Sequence, residues 1–334
     1  MSTARADRRQ RSRPAPGEPT HPDRTNGTDR PAAAPVPVRQ RRNRRSQLTA
    51  WGFAAPLVVY LALFYLYPLY RNVDLSLRDY TVRSFVDNDA PFAGWSNFSQ
   101  VFHDPTFLPA LRNTMVFTFV SIALQYAAGL GLAVFFNRHF RLSATLRALF
   151  LVPWLLPLIV SASTWSWMLN SDSGVTNYLL HLLGVAPVNW LTSPHWALTS
   201  VIIANIWIGI PFNLVILYSG LQNIPTDLYE AASLDGAGGW QQFRRITFPL
   251  LRPVSAITLL LGLVYTLKVF DIIWIMTKGG PADASTTFAT WSYQLGFGSM
   301  LPQFGPGAAV GNILIVIALV FGLCYIRVQR RQEA

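Results

Sequence analysis

Few side chains in this sequence have the type and spacing that chemistry requires. The five histidines, His21, His103, His139, His181 and His195, have no ligand-type partner at i+3 or i+4, so the spacing that builds a zinc site is missing. Cys324 is the only cysteine, which excludes an internal disulfide and a thiolate metal site. No Gly-x-Ser-x-Gly elbow occurs. The two lysines, Lys268 and Lys278, do not end a Gly-Lys-Ser/Thr run, so there is no P-loop and any ATP hydrolysis must be done by another chain. Nothing here points to an enzyme, a metal or a bound cofactor. What remains is a short set of polar groups inside apolar stretches, where they are costly and tend to be functional. Lys268 and Asp271 are three apart and can pair on one helix face. Gln125, Asn205, Asn213 and Tyr265 can hydrogen-bond a hydroxyl-bearing solute, or equally join one helix to another. Trp165 and Trp167 can stack on a sugar ring, but their spacing puts only one of them, here Trp165, on a given face.

The elements that must position these groups are membrane helices. Of the 334 residues 51% are hydrophobic and 13% charged, against roughly 25% charged in soluble domains. A bilayer core of about 30 Å needs roughly 20 apolar residues per helix. Six stretches qualify, at 49–70, 112–136, 146–169, 197–220, 254–276 and 307–327. The third contains Pro153 and Pro157, which bend a membrane helix. The expected fold is an all-α membrane protein of six spanning helices over residues 48–328, with a basic C-terminal end at 329–334.

Charge sets the orientation. Arg39, Arg41, Arg42, Arg44 and Arg45 precede the first span; Arg138, Arg141 and Arg147 lie between the second and third. Arg244, Arg245 and Arg252 lie between the fourth and fifth; Arg327, Arg330 and Arg331 follow the sixth. With six spans all of these fall on one side. The other side carries Arg71, Arg78, Arg83, Arg112 and Lys278, offset by Asp74, Asp79, Asp87, Asp89 and Asp104. The positive-inside rule puts both termini of this multi-pass protein in the cytoplasm. The net charge of +11 is thereby explained without nucleic acid: 12 arginines fall in the first 45 residues, in a tail that leads straight into an apolar span. Residues 1–47, rich in Arg and Pro, lack periodicity and large apolar residues, and are expected to be a disordered cytoplasmic tail.

The longest inside loop, 221–252, holds the most informative segment, Ile224 to Pro253. Pro225 suits a first helical turn, and Leu228, Ala231, Ala232 and Asp235 share one face with Glu230 roughly opposite. Gly236, Gly238 and Gly239 stop that helix. A second short amphipathic stretch follows, with Trp240, Phe243 and Ile246 apolar, and Pro249 and Pro253 precede the fifth span. The expectation is two short helices with a glycine turn between them, lying across the cytoplasmic face.

At these residues the chain resembles the permease subunits of binding-protein-dependent ABC importers. Their signature loop reads Glu-Ala-Ala, three residues, Gly, nine residues, Ile, one residue, Leu-Pro. Glu230, Ala231, Ala232, Gly236, Ile246 and Pro249 fall on it in register, with Phe248 in place of leucine. Asn113-Thr114 resembles the start of the family's core, and Lys278-Gly-Gly-Pro281 after Phe270-Asp271 resembles its carbohydrate branch, first-permease type, the maltose and glycerol-3-phosphate kind. The likeness covers roughly 49–327. It implies a subunit with cytoplasmic coupling helices that dock on a dimer of ABC ATPases. ATP would be bound by those partners and not by this chain. It also implies a second permease, an extracytoplasmic solute-binding protein, and alternating access in the lipid bilayer. The competing reading is a stand-alone secondary transporter or channel. Such proteins often carry internal repeats and midplane carboxylates. Here no clear repeat is visible, and Asp271 is the only acid well inside a span.

Overall fold

The computed structural model describes residues 44–87, 90–138, 140–298 and 300–333. Residues 1–43 of the arginine-rich tail, and Asp89 and His139, lie outside the described residues. The chain divides into two compact units, Met1–Val58 and Val59–Ala334. The described part of the first belongs to helix α1 (Arg44–Leu61), which begins within the last residues of the expected tail. Regular structure among the described residues is helical, with two isolated β-bridges, Arg78–Phe92 and Thr81–Gln303.

A π turn, Ala62–Leu66, joins α1 to α2 (Tyr67–Ser76). Between Val59 and Leu75 no side chain is buried, so this stretch presents its apolar residues outward. It is held to the last helix by one polar clamp. Asn72 donates to Asn312 Oδ1 at 2.7 Å, and Asn312 donates to Ser76 Oγ at 2.9 Å. Two short helices, α3 (Val82–Asp87) and α4 (Ser96–His103), lead to the 30-residue α5 (Phe107–Phe136).

The third expected span is broken rather than bent. Helix α6 (Ser143–Leu155) and α7 (Leu158–Met168) meet at 95°. Leu156 and Pro157 between them are extended, with ψ of 141° and 135°. Proline disfavours the α conformation in the residue before it, so Pro157 breaks the helix, whereas Pro153 is absorbed within α6. After α8 (Val175–Leu182) comes α9 (Ala197–Gln222), matching the fourth expected span to within two residues.

The largest helix–helix interface joins α5 and α9. A Cβ added at Gly129 would lie against Asn213 and the backbone of Leu214, and one at Gly209 would strike the Gln125 amide. Small residues allow this approach where van der Waals packing, not water exclusion, holds helices together.

Helix α10 (Thr226–Leu234) is followed by α11 (Gly239–Gln242), a π turn Phe243–Thr247, and α12 (Phe248–Leu267). Two expectations are corrected here. The second amphipathic stretch is not a separate helix: Gly239–Leu267 is one helical rod. The π turn sits immediately ahead of Pro249, where an α-helical carbonyl at Arg245 would meet the proline ring. The fifth span also ends at Leu267, not 276. No breaker residue marks that end. Packing decides it, because Ile272, Ile273 and Met276 of α13 (Asp271–Met276) turn back into a cluster with Phe117, Val201 and Ile208.

Helix α14 (Phe288–Tyr293), a π turn Gln294–Gly298 and α15 (Phe304–Glu333) complete the chain. Among the described residues five rods are long and apolar enough to cross a membrane, and six are reached if the bent α6–α7 pair counts as one span.

At the end of the bundle opposite α10, Asn113 explains why an amide opens α5. Its Nδ2 donates to the carbonyls of Asp283 and Thr286, both at 3.0 Å, while Thr114 Oγ1 accepts from Phe288 N–H at 3.0 Å. These bonds pin the 277–288 loop, including Lys278-Gly-Gly-Pro281, onto α5. Asn113→Leu removes the donor from two carbonyls, at roughly 1–3 kcal/mol each, so the detergent-solubilised protein should melt about 5 °C lower or more by calorimetry.

Candidate functional site

Two places combine unusual residues with exposure. The first is the elbow at 224–249. Its anchor is a cluster of Phe136, Leu217, Leu221, Ile224 and Leu251, against which Tyr229 and Ile246 pack. The inward face of α10 is therefore set by Tyr229 and the half-buried Ala232, while Leu228 and Asp235 are exposed. Glu230, Ala231 and Leu228 face outward, and Leu234 is 90% exposed. Gly236 stops α10 with φ of +78°, the left-handed conformation that glycine adopts without cost. Pro249 and Ile246 are half-buried at the start of the long rod. All six expected loop residues thus sit on one protrusion, with Glu230 and Ala231 at its surface and Ile246 and Pro249 at its base.

The second place is a cavity of about 460 Å³ between α5, α6, α9 and α12, within the usual ~300–1,000 Å³ of small-solute pockets. Gln125, Asn205, Tyr265 and Asp271 line it, as expected of a solute path. Gln125 Nε2 donates to the Asn205 carbonyl at 2.9 Å. Asn205 Nδ2 is buried and has no partner among the described residues. A buried unpaired donor is expensive, which makes Asn205 an unusual residue to find beside a cavity.

Two expected residues do not line this cavity. Trp165 packs edge-on to Trp207, with centroids 6.0 Å apart, beside the α7–α9–α13 cluster. Asn213 lies one turn beyond Gly209, where α5 and α9 touch, and donates to the Gly209 carbonyl at 2.9 Å. Trp167 is exposed on the outside. Nor do Lys268 and Asp271 form an ion pair: the helix ends between them, and the Lys268 ammonium lies 4.9 Å from the Tyr265 ring centroid.

The cavity also contains residues that sequence reasoning passed over. Trp154, Phe212 and Tyr265 follow one another along its wall, with successive centroids 6.2 and 5.9 Å apart, both edge-on. Phe212 was accessible to periodicity, since 205, 209 and 212 share one face of α9. Trp154 was not, because its position depends on the break at Pro157.

Residues 109–334 match the family described as the inner membrane component of binding-protein-dependent transport systems. The trehalose/maltose transport system permease protein MalF of Thermococcus litoralis is 38% identical over 276 residues, covering 82% of this chain and 91% of that one. The lactose transport system permease protein LacF of Rhizobium radiobacter is 32% identical over 295 residues, covering 87% and 97%. A permease chain in the crystal structure of a bacterial ABC transporter that imports the acidic polysaccharide alginate superposes with a TM-score of 0.74. It is 25% identical, over 86% of this chain and 96% of that one. With its apolar rods, its surface elbow and the match over most of its length, the chain belongs to the family of inner-membrane permease components of binding-protein-dependent ABC importers.

Proposed function

We propose that this chain is one of two permease subunits of an ATP-driven importer of a carbohydrate, forming half of a translocation path that a pair of separate ATPases opens and closes. The observation that carries the solute class is the wall of the cavity. A sugar presents C–H faces and a rim of hydroxyls. Trp154, Phe212 and Tyr265 offer successive aromatic faces, and Gln125, Asn205 and Asp271 offer amides and a carboxylate for hydroxyls. The relatives named for trehalose, maltose and lactose favour the same class.

The elbow is the docking element for the ATPases, which bind the ATP; this chain carries no cofactor of its own. Its surface fits that role: a carboxylate, small alanines and an exposed leucine on a short helix. A solute-binding protein delivers the sugar at the opposite end.

The placement of the arginines supports a cytoplasmic elbow and cytoplasmic termini. At the far end Asp74 bridges Arg71 at 2.9 Å and Arg78 at 2.8 Å, and holds the Arg78 guanidinium above its ordinary pKa. At the elbow end Arg138, Arg141, Arg244, Arg245 and Arg252 have no carboxylate partner among the described residues. The positive-inside rule counts basic residues near span ends whether or not they are paired, and these five flank spans at the elbow end.

Reconstitution tests this. Proteoliposomes holding this chain, its partner permease, the ATPases and the binding protein should accumulate a labelled disaccharide only with ATP inside, and should ignore labelled amino acids. Uptake by this chain alone would assign it to the secondary transporters instead.

A further inference from the structure

The elbow contains a potential fault. Between α10 and the long rod lie Gly236 and Gly238, and the rod itself opens on Gly239; none of the three has a neighbouring atom within 4 Å of where a side chain would begin. Three glycines in an unpacked turn make a hinge. If α10 is pushed by a motor, such a hinge absorbs the motion before it reaches α12. The π turn Phe243–Thr247 directly beyond is a second soft point, since π geometry weakens the regular helical bonding.

Two hydrogen bonds cross the hinge. Tyr229 Oη and Thr247 Oγ1 are 2.9 Å apart, and Gln242 Nε2 donates to Ser233 Oγ at 2.8 Å. The second is exposed and competes with water. The first is sheltered: Thr247 is 6% exposed, and the Tyr229 ring packs on the cluster of Leu217, Leu221 and Leu251. It joins the middle of α10 to the last residue of the π turn, and so spans both soft points. From Thr247 the rod runs to Gly262, Tyr265 and Thr266 in the cavity wall, about 27 Å away at the helical rise.

We infer that Tyr229 and Thr247 form a brace that makes α10, the glycine turn and α12 one lever, so that movement at the ATPase face is delivered to the cavity. This rests on the docking reading above. Both are positioning residues: neither touches solute, and the Tyr229 side chain lies about 100° around α10 from Glu230. The brace need not break during transport; it keeps the two limbs at a fixed angle.

The test measures solute moved per ATP hydrolysed in the complete importer in proteoliposomes, for Tyr229→Phe, Thr247→Val, their double variant and Thr247→Ser. Phe keeps the ring and Val keeps the shape, so only the hydrogen bond is lost. The ATPases should still co-purify. The ratio should fall roughly 3- to 10-fold in either single variant, the size expected for one sheltered hydrogen bond. The double variant should be no worse than the singles, and Thr247→Ser should restore the ratio. An unchanged ratio in the Phe and Val variants overturns the brace, as does a Ser variant as impaired as Val, which would assign the effect to packing. Glu230→Lys, assayed in parallel, separates the two claims. If it keeps its ATPases the docking reading falls and the brace with it. If it loses them while the brace variants transport normally, the brace alone is wrong.

Discussion

Glu230→Lys should leave the permease in the membrane and strip it of its ATPases. Glu230 is exposed, makes no ion pair among the described residues, and lies about 100° around α10 from the Tyr229 anchor, so the substitution removes nothing that holds the elbow together. Also exposed on α10 are Ala231, which permits close approach, and the 90%-exposed Leu234, an apolar group left uncovered by the described residues. A surface of that composition is energetically idle until another protein covers it. Reversing the charge at its centre buries an ammonium where a carboxylate was accommodated. Losses at buried interfacial charges run to about 2–5 kcal/mol, a fall in affinity of roughly 30-fold or more. In a pull-down from detergent-solubilised membranes, the wild type should retain the ATPases and the variant should not. A cysteine-reactive probe at an engineered loop position should show the same insertion for both. A Glu230→Lys complex with normal solute-stimulated ATP hydrolysis would contradict the assignment of the elbow as the docking element.

How much of this was legible in the sequence depends on whether the deciding physics is local. The long helices α5, α9 and α15 were readable because twenty or more apolar residues admit no other structure in a bilayer. The elbow was readable because Pro225 and three glycines punctuate it. The inward face of α10 was not, because Tyr229 is buried by residues of α5, α9 and α12, which periodicity within nine residues cannot reveal. The end of the fifth span at Leu267 was hidden for the same reason: the run 254–276 is uniformly apolar, and only its docking partners turn Asp271–Met276 into a separate helix. That turn separates Lys268 from Asp271 and explains why a pair correctly spaced for one helix does not form. In the cavity, the amides and Asp271 were found from the cost of polar groups in a span. Trp154 and Phe212 were not, since an aromatic side chain in an apolar helix has no such cost; Phe212 could be found only from the α9 face it shares with Asn205 and Gly209.

The cavity has one point where a single atom should decide its shape. At Gly209 an added Cβ would overlap the carbon, nitrogen and oxygen of the Gln125 side-chain amide. Gln125 is flexible and the α9 backbone is helical there, so the amide yields and the helices stay. The contrast is Gly129, where the added atom meets the backbone of Leu214 and the helices themselves would have to part. Gly209→Ala therefore should not destabilise the protein. In a helix interior alanine is favoured over glycine by roughly 1 kcal/mol, so the melting temperature should hold or rise slightly. Transport should nevertheless suffer. The displaced amide loses its 2.9 Å bond to the Asn205 carbonyl and has the open space of the cavity to move into. Filling part of a preformed pocket and misplacing one of its few polar groups should cost about tenfold in ATP-driven uptake at saturating binding protein. The double variant Gly209→Ala/Gln125→Ala separates the two causes. Truncating Gln125 removes the clash, so if space is what Gly209 protects, uptake should recover to the level of Gln125→Ala alone. If the double variant is instead as poor as Gly209→Ala, the glycine serves the helix and not the cavity, and the assignment of this cavity as the solute path loses its geometric support.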